Sequence, residues 1–351
     1  MKNFTQRFIG LFVLVFVMSF TINAQEINSY EVTQLWSKSY DNFGLSAFRK
    51  GVINNDKLII SGANWPTMPS GTGDQLVTML DLEGNIIWQE VRDPGWDHAS
   101  FSAVDKLGDN YLFYGTQNGQ GSDYFDGVWV LINQNGEEQD FGNILMPGST
   151  YGTDCEVINE NLIVLSGKED QSYVMIVDNE FNIINEHYFT IGSVHAGAKV
   201  EVDRVNNKIY AIDSHINSHS FYMMIYDFEL NVLDSLAYLS DQSFGRGGLY
   251  IGANFLYSYG YTINEGVNIG CVFKMDFNGN LIDSYYGESN TRFTALHAVN
   301  DKLLIGKSNM SGDTFINSDL LVIDKNFDNN SSFYLNHSLT DIIYDGENCY
   351  L

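Results

Sequence analysis

The sequence predicts an all-β protein, a seven-bladed β-propeller of four-stranded antiparallel blades. Six segments each run from an apolar strand through an Asp or Asn turn into a more polar strand. A repeat of about 50 residues accommodates four short strands and is typical of propeller blades. The first turn residue of each segment is called a landmark residue below; these are Asp81, Asn133, Asp178, Asp227, Asp276 and Asp324, with successive separations of 52, 45, 49, 49 and 48 residues.

The N-terminal residues 1–24 predict a secretory signal peptide. Lys2 and Arg7 precede an apolar run over residues 8–20, and a small residue stands at the expected cleavage site. The run is short for a membrane span, and the segment contains no Cys that could carry a lipid. We therefore expect one propeller domain over residues 25–351, either secreted to the extracellular space or cell surface or kept in the periplasm.

The net charge narrows the choice of partners. Removing Lys2 and Arg7 with the leader takes the formal charge from −26 to −28. Nucleic acids and anionic membrane surfaces would be repelled by such a chain. We expect a monomer that binds an extracellular protein, a glycan or a small ligand.

A second apolar hairpin precedes each landmark turn and predicts the two inner strands of a blade. Both of its strands are apolar and enclose a turn of Asn, Asp or Gly, which is the signal for a tight β-hairpin. Seven such hairpins are present: GVINNDKLIISG, SAVDKLGDNYLFYG, CEVINENLIVLSG, KVEVDRVNNKIYAID, LYIGANFLYSYG, HAVNDKLLIGK and DIIYDGENCYL.

The third and fourth strands of each unit differ in polarity. The third is a nearly unbroken apolar run, as at residues 76–80 and 128–132, whereas the fourth is polar or alternating. An unbroken run predicts a strand covered on both faces, and a polar strand predicts an outer rim. A solenoid would need polar capping repeats, and a sandwich would not need units of equal length.

The two ends of the chain predict a seventh blade. Trp36 occupies the position of a fourth strand with no earlier strands before it, and residues 341–351 supply a hairpin with no later strands. We expect these pieces to combine into the last blade. One strand of this blade is left unassigned: the blade has three strands, residues 27–33 pair loosely as the fourth, or the natural chain continues beyond Leu351. The chain stops within an apolar strand, which favours a shortened C-terminus.

Cys155, Cys271 and Cys349 are expected to be buried free thiols. They are three in number, widely separated and embedded in apolar stretches. This pattern argues against a disulfide framework and against a zinc site.

The repeat resembles those of secreted bacterial β-propellers of the Bacteroidota type. The resemblance is carried by D-x-x-G-N-x-x-W at residues 81–88 and D-x-x-G-N-x-x at residues 276–282, and by a leader that ends in Ala-Gln. The repeats are also distantly similar to quinoprotein repeats. Those normally have Thr-Gly after the Asp and a Trp in most blades, whereas here only Trp36 and Trp88 hold the Trp position. We therefore expect no quinone and no other cofactor.

Candidate ligand-binding residues stand near the start of the first strand in several blades. In a propeller these positions line one mouth of the central channel, so residues from separate blades are expected to converge there. Their imidazole, phenol, carboxylate and guanidinium groups suit a small polar ligand or a divalent cation. They are Asp97, His98, Tyr151, Asp154, His195, Arg246, Arg292 and His337.

The landmark turns are interpreted as hairpin turns and not as calcium loops. Alternating oxygen side chains, as in DLEGN, occur in calcium loops, but the glutamate and helices of an EF-hand are missing. Asp, Asn and Gly are also the residues that tight turns require. We assign no metal site.

The function predicted from the sequence is a binding or interaction module without catalysis. No hydrolase, metalloprotease, phosphate-loop or glycosidase motif is recognisable in the sequence. The alternative is a hydrolase or lyase that uses the channel-mouth residues, with or without a metal ion. A third hypothesis is a purely structural surface protein with no saturable ligand.

Overall fold

The computed structural model of the chain describes most residues after the predicted leader. The described ranges are 14–20, 32–39, 45–65, 73–92, 99–118, 125–144, 150–168, 171–189, 197–214, 220–239, 243–245, 247–312, 314–328, 330–335 and 338–351. Within this part of the chain, no helix is long and apolar enough to cross a membrane.

Six antiparallel sheets follow one another along the chain, after the strands β1 (Leu14–Phe20) and β2 (Val32–Ser39). Blade 1 contains β3 (Leu45–Asn54), β4 (Lys57–Trp65), β5 (Asp74–Asp81) and β6 (Ile86–Arg92). Blade 2 contains β7 (Ala99–Leu107), β8 (Asn110–Asn118), β9 (Phe125–Asn133) and β10 (Glu138–Ile144). Blade 3 contains β11 (Tyr151–Asn159), β12 (Leu162–Lys168), β13 (Ser172–Asp178) and β14 (Ile183–Phe189).

The remaining three blades repeat the pattern. Blade 4 contains β15 (Lys199–Asp203), β16 (Lys208–Ser214), β17 (Ser220–Asp227) and β18 (Val232–Leu239). In blade 5 the first strand is split into β19 (Ser243–Phe244) and β20 (Gly248–Ile251), followed by β21 (Leu256–Asn264), β22 (Val267–Met275) and β23 (Leu281–Ser289). Blade 6 contains β24 (Thr291–Val299), β25 (Lys302–Ser311), β26 (Thr314–Asp324) and β27 (Asn330–Leu335), and the chain ends with β28 (Ile343–Tyr344) and β29 (Asn348–Tyr350).

The predicted difference between third and fourth strands is confirmed. Residues 75–80 of β5 are all buried, and so are residues 172–177 of β13. The rim strands β10 and β14 are largely exposed. The buried side chains form clusters that combine two adjacent blades, such as the cluster of Leu112 and Leu165 between blades 2 and 3. The blades are therefore held together by apolar packing of their faces.

The landmark turns are confirmed as hairpin turns, closed by hydrogen bonds of their own side chains. In the turn of blade 4, Asp227 Oδ1 accepts the backbone N–H of Asn231 at 2.9 Å, and Asp227 Oδ2 accepts its side-chain amide at 2.8 Å. The pair Asp178 and Asn182 repeats this geometry in blade 3. The spacing D-x-x-x-N is thus explained by hydrogen bonds within the turn.

The structure corrects the prediction of a seven-bladed propeller with a last blade assembled from both termini. It shows six blades along the chain, and the C-terminal hairpin of β28 and β29 belongs to a separate small sheet with the order β2-β1-β29-β28. The strand that extends this small sheet is β1, which pairs with three residues of β29 and also with β2. β1 lies inside the predicted signal peptide, so among the described residues no strand after residue 24 pairs with the C-terminal hairpin.

The physical reason is the shortness of the hairpin. β28 and β29 contain two and three residues, so they offer few backbone hydrogen bonds to a further strand. The prediction had combined the strand of Trp36 with this hairpin in one blade and had left the strand between them unassigned. The hairpin nevertheless packs between the innermost strands of blades 6 and 1, β24 and β3, and so completes the ring of inner strands.

The three cysteines are free and buried, as predicted. Burial raises the pKa of each thiol, to about 12 for Cys349. A buried neutral thiol behaves as a small apolar side chain.

Candidate functional site in the axial passage

The innermost strands place two layers of side chains around the axis. Each residue of the first layer pairs with a residue of the second strand, and that residue pairs in turn with the third-strand residue four positions before the landmark. The first-layer residues are Lys50, Ala103, Asp154, Lys199, Gly248 and Ala295. Residues of the second layer pair in the same way with the residue two positions before the landmark; they are Val52, Asp105, Glu156, Glu201, Tyr250 and His297. Because side chains two apart on a strand share a face, the two layers lie one above the other.

Lys50 forms the centre of a group of ionisable residues, called the channel cluster: Lys50, Asp154, Glu156, Glu201 and Asp341. From blade 1, Lys50 Nζ reaches Asp154 Oδ1 at 2.8 Å and Glu156 Oε1 at 3.0 Å, both in blade 3. The intervening blade 2 has only Ala103 at the equivalent position, which leaves the path free. Side chains of blades that are not neighbours therefore meet at the axis.

The channel cluster is enclosed by the ring but keeps contact with solvent. The side chain of Asp154 is 8% exposed, that of Glu156 14% and that of Lys50 25%. Charged groups that are partly accessible in the middle of a fold line a passage and not a sealed core.

The pKa values of the carboxyl groups in the channel cluster are shifted in different directions from their usual values. Burial would raise the pKa of Asp154, but Lys50 and Lys199 outweigh it and hold the pKa below its usual value. Burial raises the pKa of Glu156 to about 7, in spite of Lys50 and with the help of Asp105 and Asp154. Near neutral pH, Asp154 is thus an anion while Glu156 is only partly ionised.

Two further carboxyl groups face the same passage. Burial and the nearby Glu156 raise the pKa of Glu201 well above its usual value. Burial also raises the pKa of Asp341, although Asp341 Oδ2 accepts the backbone N–H of Gly51 at 2.9 Å. The passage contains more carboxyl groups than its lysines can neutralise, so protons occupy part of the deficit.

The opposite side of the passage is aromatic. His297 lies between Tyr250 and Tyr344, with ring centroids 4.8 and 5.8 Å away. Burial lowers the pKa of His297 to about 4, so its imidazole is neutral at physiological pH. Tyr259 of blade 5 lines the same region, and a cavity of about 30 Å³, enough for about one water molecule, lies beside it between blades 4 and 5.

Of the predicted channel-mouth residues, the structure describes three. Asp154 belongs to the channel cluster. Tyr151 stacks on Phe125 with ring centroids 4.5 Å apart, and the Arg292 guanidinium lies 4.4 Å from the ring centroid of Tyr261. Their predicted convergence with the other five stays a prediction, because those five lie outside the described residues: Asp97, His98, His195, Arg246 and His337.

Sequence reasoning missed most of the channel cluster. The first strands were aligned on apolar residues such as Val104 and Val157, whereas the structure aligns Val52 with Asp105 and Glu156. The first hairpin has two turn residues in blade 2, between Leu107 and Asn110, and four in blade 4, between Asp203 and Lys208, and β11 has an extra residue between Val157 and Asn159, so spacing along the chain does not give the pairing. A signal was available, since Lys199 and Glu201 are charged residues at alternate positions of an inner strand.

The geometry of the described residues does not support a divalent metal ion as the ligand of the channel mouth. Among them, no group of three or more His, Cys, Asp or Glu side chains is arranged to hold a metal ion. The channel cluster is instead organised by a lysine, which is a hydrogen-bond donor to carboxylates.

The fold and its axial site define this chain as a β-propeller protein. Its structure is similar to the propeller of Dos1 (10% identity, 88% of this chain and 79% of that one, TM-score 0.53) and to the WD40 β-propeller domain of Doa1 (11%, 87% and 93%, TM-score 0.53). It is also similar to a prolyl endopeptidase (12%, 94% and 50%, TM-score 0.52). Identities this low show the fold alone.

Sequence comparison adds no family. No known family model matches the chain, and no functionally characterised protein matches its sequence significantly. The function must therefore be argued from the site.

Proposed function

We propose that this chain is a secreted or cell-surface β-propeller that acts as a binding module, with its ligand site in the axial passage. The observation that carries the proposal is the convergence of the channel cluster, in which Lys50 of blade 1 joins Asp154 and Glu156 of blade 3. Charged groups held inside a ring at a cost in desolvation are a mark of recognition sites.

The proposed location rests on the sequence. The predicted signal peptide, the resemblance to secreted Bacteroidota-type propellers and the formal charge of −26 all favour an extracellular or surface protein. The acidic charge disfavours nucleic acid as a partner. An extracellular protein, a glycan or a small polar ligand is the expected class of partner for a monomeric propeller of this kind.

A ligand screen on the mature chain tests this function. Glycans, small polar metabolites and envelope proteins are screened for binding to the wild type and to Glu156→Gln, which changes the charge in the passage with little change in shape. Glu160→Gln is the matched control, because Glu160 lies exposed in the turn after β11. We expect at least one ligand whose affinity changes with Glu156→Gln and not with Glu160→Gln. A screen in which no ligand of any class responds to the passage variant contradicts the proposal.

A second candidate function is a hydrolase or lyase. Asp154 and Glu156 both contact Lys50 Nζ, yet the pKa of the first is lowered and that of the second is raised to about 7. Such a divergence between two neighbouring carboxyl groups is found in acid–base catalysis. Turnover of a polysaccharide or ester substrate that Glu156→Gln abolishes would establish the enzyme and exclude a pure binding module.

A further inference from the structure

The rim strands expose an aliphatic side chain at one repeated position. In blades 1, 3, 4 and 5, the fourth strand has one residue more than the third strand pairs with, shortly after the landmark turn. Such an extra residue is a β-bulge, and its backbone is left out of the ladder. The extra residues are Ile87, Ile184, Leu233 and Ile282, which are 47%, 56%, 52% and 51% exposed.

The fold does not require an apolar residue at this position. Blade 2 has the same shift in register with Gln139 as the extra residue, and Gln139 is exposed. In blade 6, β26 pairs with β27 in regular register from Ser318 to Ile323. Exposed aliphatic surface is unfavourable in water by about 25 cal/mol per Å². Four aliphatic residues at a position that accepts glutamine therefore indicate a role outside the fold.

In blades 3, 4 and 5 the residue before the bulge is aliphatic and exposed as well. These residues are Ile183, Val232 and Leu281, at 43%, 45% and 51% exposure. Each of the three blades thus presents an aliphatic pair at the start of its rim strand. The three pairs together are called the rim patch: Ile183, Ile184, Val232, Leu233, Leu281 and Ile282.

The three pairs lie on blades that contact one another at the rim. Asn185, which follows the pair of blade 3, donates its side-chain amide to the backbone oxygen of Glu229 at 2.8 Å. Glu229 belongs to the turn of blade 4, which leads directly into the pair of that blade. In the same way, Leu236 of blade 4 packs on Gly279 in the turn that leads into the pair of blade 5. The rim patch is therefore continuous over three neighbouring blades.

Polar residues bound the rim patch on both sides. At the equivalent positions, blade 2 has Glu138 and Gln139, and blade 6 begins its rim strand with Asn330; all three are exposed. Single exposed apolar residues are common on protein surfaces, whereas a continuous apolar patch with a polar border is typical of a docking surface.

Carboxylates accompany the rim patch, and the chain supplies no basic residues beside them. The three segments 178–187, 227–236 and 276–285 contain eight Asp or Glu residues and no Lys or Arg. Five of these acids are exposed: Glu180, Glu186, Glu229, Asp234 and Asp283. Apolar side chains among anions are complementary to a partner that carries Lys or Arg around its own apolar side chains. A second copy of this chain, with a formal charge of −26, and an anionic membrane would both be repelled.

The bulges also favour one mode of docking. A β-bulge interrupts the free backbone edge of the rim strand and opposes the addition of a further strand. A partner is therefore expected to contact the side chains of the rim patch and not to extend the sheets. An amphipathic helix presents apolar side chains in a stripe with basic side chains beside it, which suits this surface.

We infer that the rim of blades 3 to 5 is a docking surface for a basic amphipathic helix of another protein. The apolar side chains of the helix cover the rim patch, and its Lys or Arg side chains pair with the accompanying carboxylates. This surface lies on the outer strands, at the opposite end of each sheet from the axial passage. It is thus a second interaction site, beyond the proposed function.

Isothermal titration calorimetry on the mature chain at pH 7 tests the class of partner. The probe is a synthetic Leu/Lys peptide of about 18 residues that forms an amphipathic helix of roughly 27 Å. One comparator replaces every Leu by Ser, and the other replaces every Lys by Glu. We expect the Leu/Lys peptide to bind and both comparators to bind at least tenfold more weakly, because the surface requires apolar and basic side chains together.

Two double variants locate the site. Leu233→Gln/Ile282→Gln removes two aliphatic side chains of the rim patch, and the affinity for the Leu/Lys peptide should fall at least tenfold. Ile86→Gln/Ile87→Gln makes the same change on blade 1, outside the rim patch, and should leave the affinity within twofold of the wild type. Glutamine already occupies the bulge of blade 2 as Gln139, so both variants should fold, and thermal unfolding checks this.

Each contrary outcome overturns the inference. Equal peptide binding by wild type and Leu233→Gln/Ile282→Gln overturns the site, and equal binding of the Ser/Lys peptide reduces the interaction to charge alone. Absence of peptide binding overturns the basic partner. Sedimentation equilibrium and flotation with phosphatidylcholine vesicles test the other occupants: a dimer or vesicle binding that Leu233→Gln/Ile282→Gln abolishes would assign the rim patch to a second copy or to a membrane.

The proposed function is tested separately. Glu156→Gln, in the axial passage, should leave the affinity for the Leu/Lys peptide within twofold of the wild type. A failure of the peptide titration therefore leaves the ligand screen on the passage variant to decide the proposed function, and a failure of that screen leaves the rim patch in place.

Discussion

Lys50 is the residue on which the charge balance of the passage depends. Its ammonium group contacts Asp154 and Glu156 and also lies 3.5 Å from the backbone oxygen of Cys155. Burial alone would lower the pKa of Lys50, but the neighbouring carboxylates outweigh it and raise the pKa well above its usual value. The lysine therefore stays charged, and its removal would leave enclosed anions without a partner.

Replacing Lys50 by Met is expected to lower the free energy of unfolding at pH 7 by about 3 kcal/mol, because breaking a buried ion pair exposes its full desolvation cost. The measurement is urea denaturation followed by tryptophan fluorescence. Lys57→Met is the control, since Lys57, the first residue of β4, forms no ion pair with any described residue, and it should change stability by less than about 0.5 kcal/mol. The double variant Lys50→Met/Asp154→Asn should recover part of the loss. Equal stability of Lys50→Met and wild type would show that the ion pairs do not form.

Glu156 should make stability fall as the pH rises toward neutrality. Its pKa is raised in the folded state from 4.5 to about 7, so the folded chain holds a proton that the unfolded chain has lost between these values. Its stabilising contribution is complete below pH 4.5 and is lost as the pH rises to about 7. Asp154 acts in the opposite sense, because its lowered pKa contributes stability that disappears as the pH falls below 3.8.

Glu156→Gln tests whether the titration of Glu156 lowers the stability as the pH rises. The neutral amide lacks the titration, so the variant should gain on the wild type by about 1–3 kcal/mol between pH 4.5 and pH 7. Parallel denaturation curves at half-unit pH intervals measure the difference. A difference that is constant with pH, or that shrinks as the pH rises, contradicts the raised pKa.

At the scale of the element, the landmark turn serves two purposes. Its Asp and Asn side chains close the turn, and its left-handed residue contacts the preceding blade. In blade 3 that residue is Phe181, with φ of 61°, and its ring stacks on Trp129 of blade 2 at 3.6 Å. In blade 5 it is Gly279, against which Leu236 and Tyr238 of blade 4 pack. Blades are thus joined either by a large side chain from the turn or by one that covers a glycine.

Gly279→Ala should lower the free energy of unfolding through two effects, the backbone strain of a left-handed alanine and a clash with blade 4. Gly279 has φ of 80°, and an added Cβ would lie 2.1 Å from Leu236 Cδ1. Gly266 also has φ of 80° but nothing within 4 Å of such a Cβ, so Gly266→Ala measures the strain alone. We expect losses of about 1 kcal/mol for Gly266→Ala and about 2–4 kcal/mol for Gly279→Ala in thermal or urea unfolding. Equal losses would show that the turn does not pack against blade 4.

At the scale of the whole molecule, the C-terminal segment joins the last blade to the first. Thr340 Oγ1 donates to the backbone oxygen of Phe48 at 3.1 Å, and Asp341 accepts from Gly51. Leu339 and Cys349 are 3% and 0% exposed in a cluster with residues of blade 6. The segment thus packs on both neighbours, although it forms only a small sheet.

Leu339→Ala tests whether this segment is part of the cooperative structure. If the segment is packed as the core is, the variant should lose about 2–5 kcal/mol, as expected for a buried leucine. Leu304→Ala, at a position 1% exposed in the same cluster, is the reference and should lose a similar amount. A loss for Leu339→Ala below about 1 kcal/mol, with the full loss for Leu304→Ala, would show that the segment opens independently of the blades.

Local patterns determined the blades because a strand and its turn are specified by neighbouring residues. The apolar third strands, the polar rim strands, the D-x-x-x-N turns and the buried thiols could all be predicted, since burial on both faces and turn chemistry leave a direct trace in composition. The ends could not, because whether strands of two and three residues recruit a partner depends on backbone pairing between segments about 300 residues apart.

The axial site, like the chain ends, could not be predicted fully from local sequence patterns. Asp154 stood out in the sequence, whereas Glu156, Glu201 and Asp341 did not, since the length of the first hairpin turn and an extra residue in β11 change the pairing from blade to blade. By itself the sequence determined the type of repeat, the acidic character and the turn chemistry of this protein. Only the tertiary structure decided which charged side chains meet, because the ring brings together residues such as Lys50 and Asp154, which are separated along the chain but adjacent around one axis.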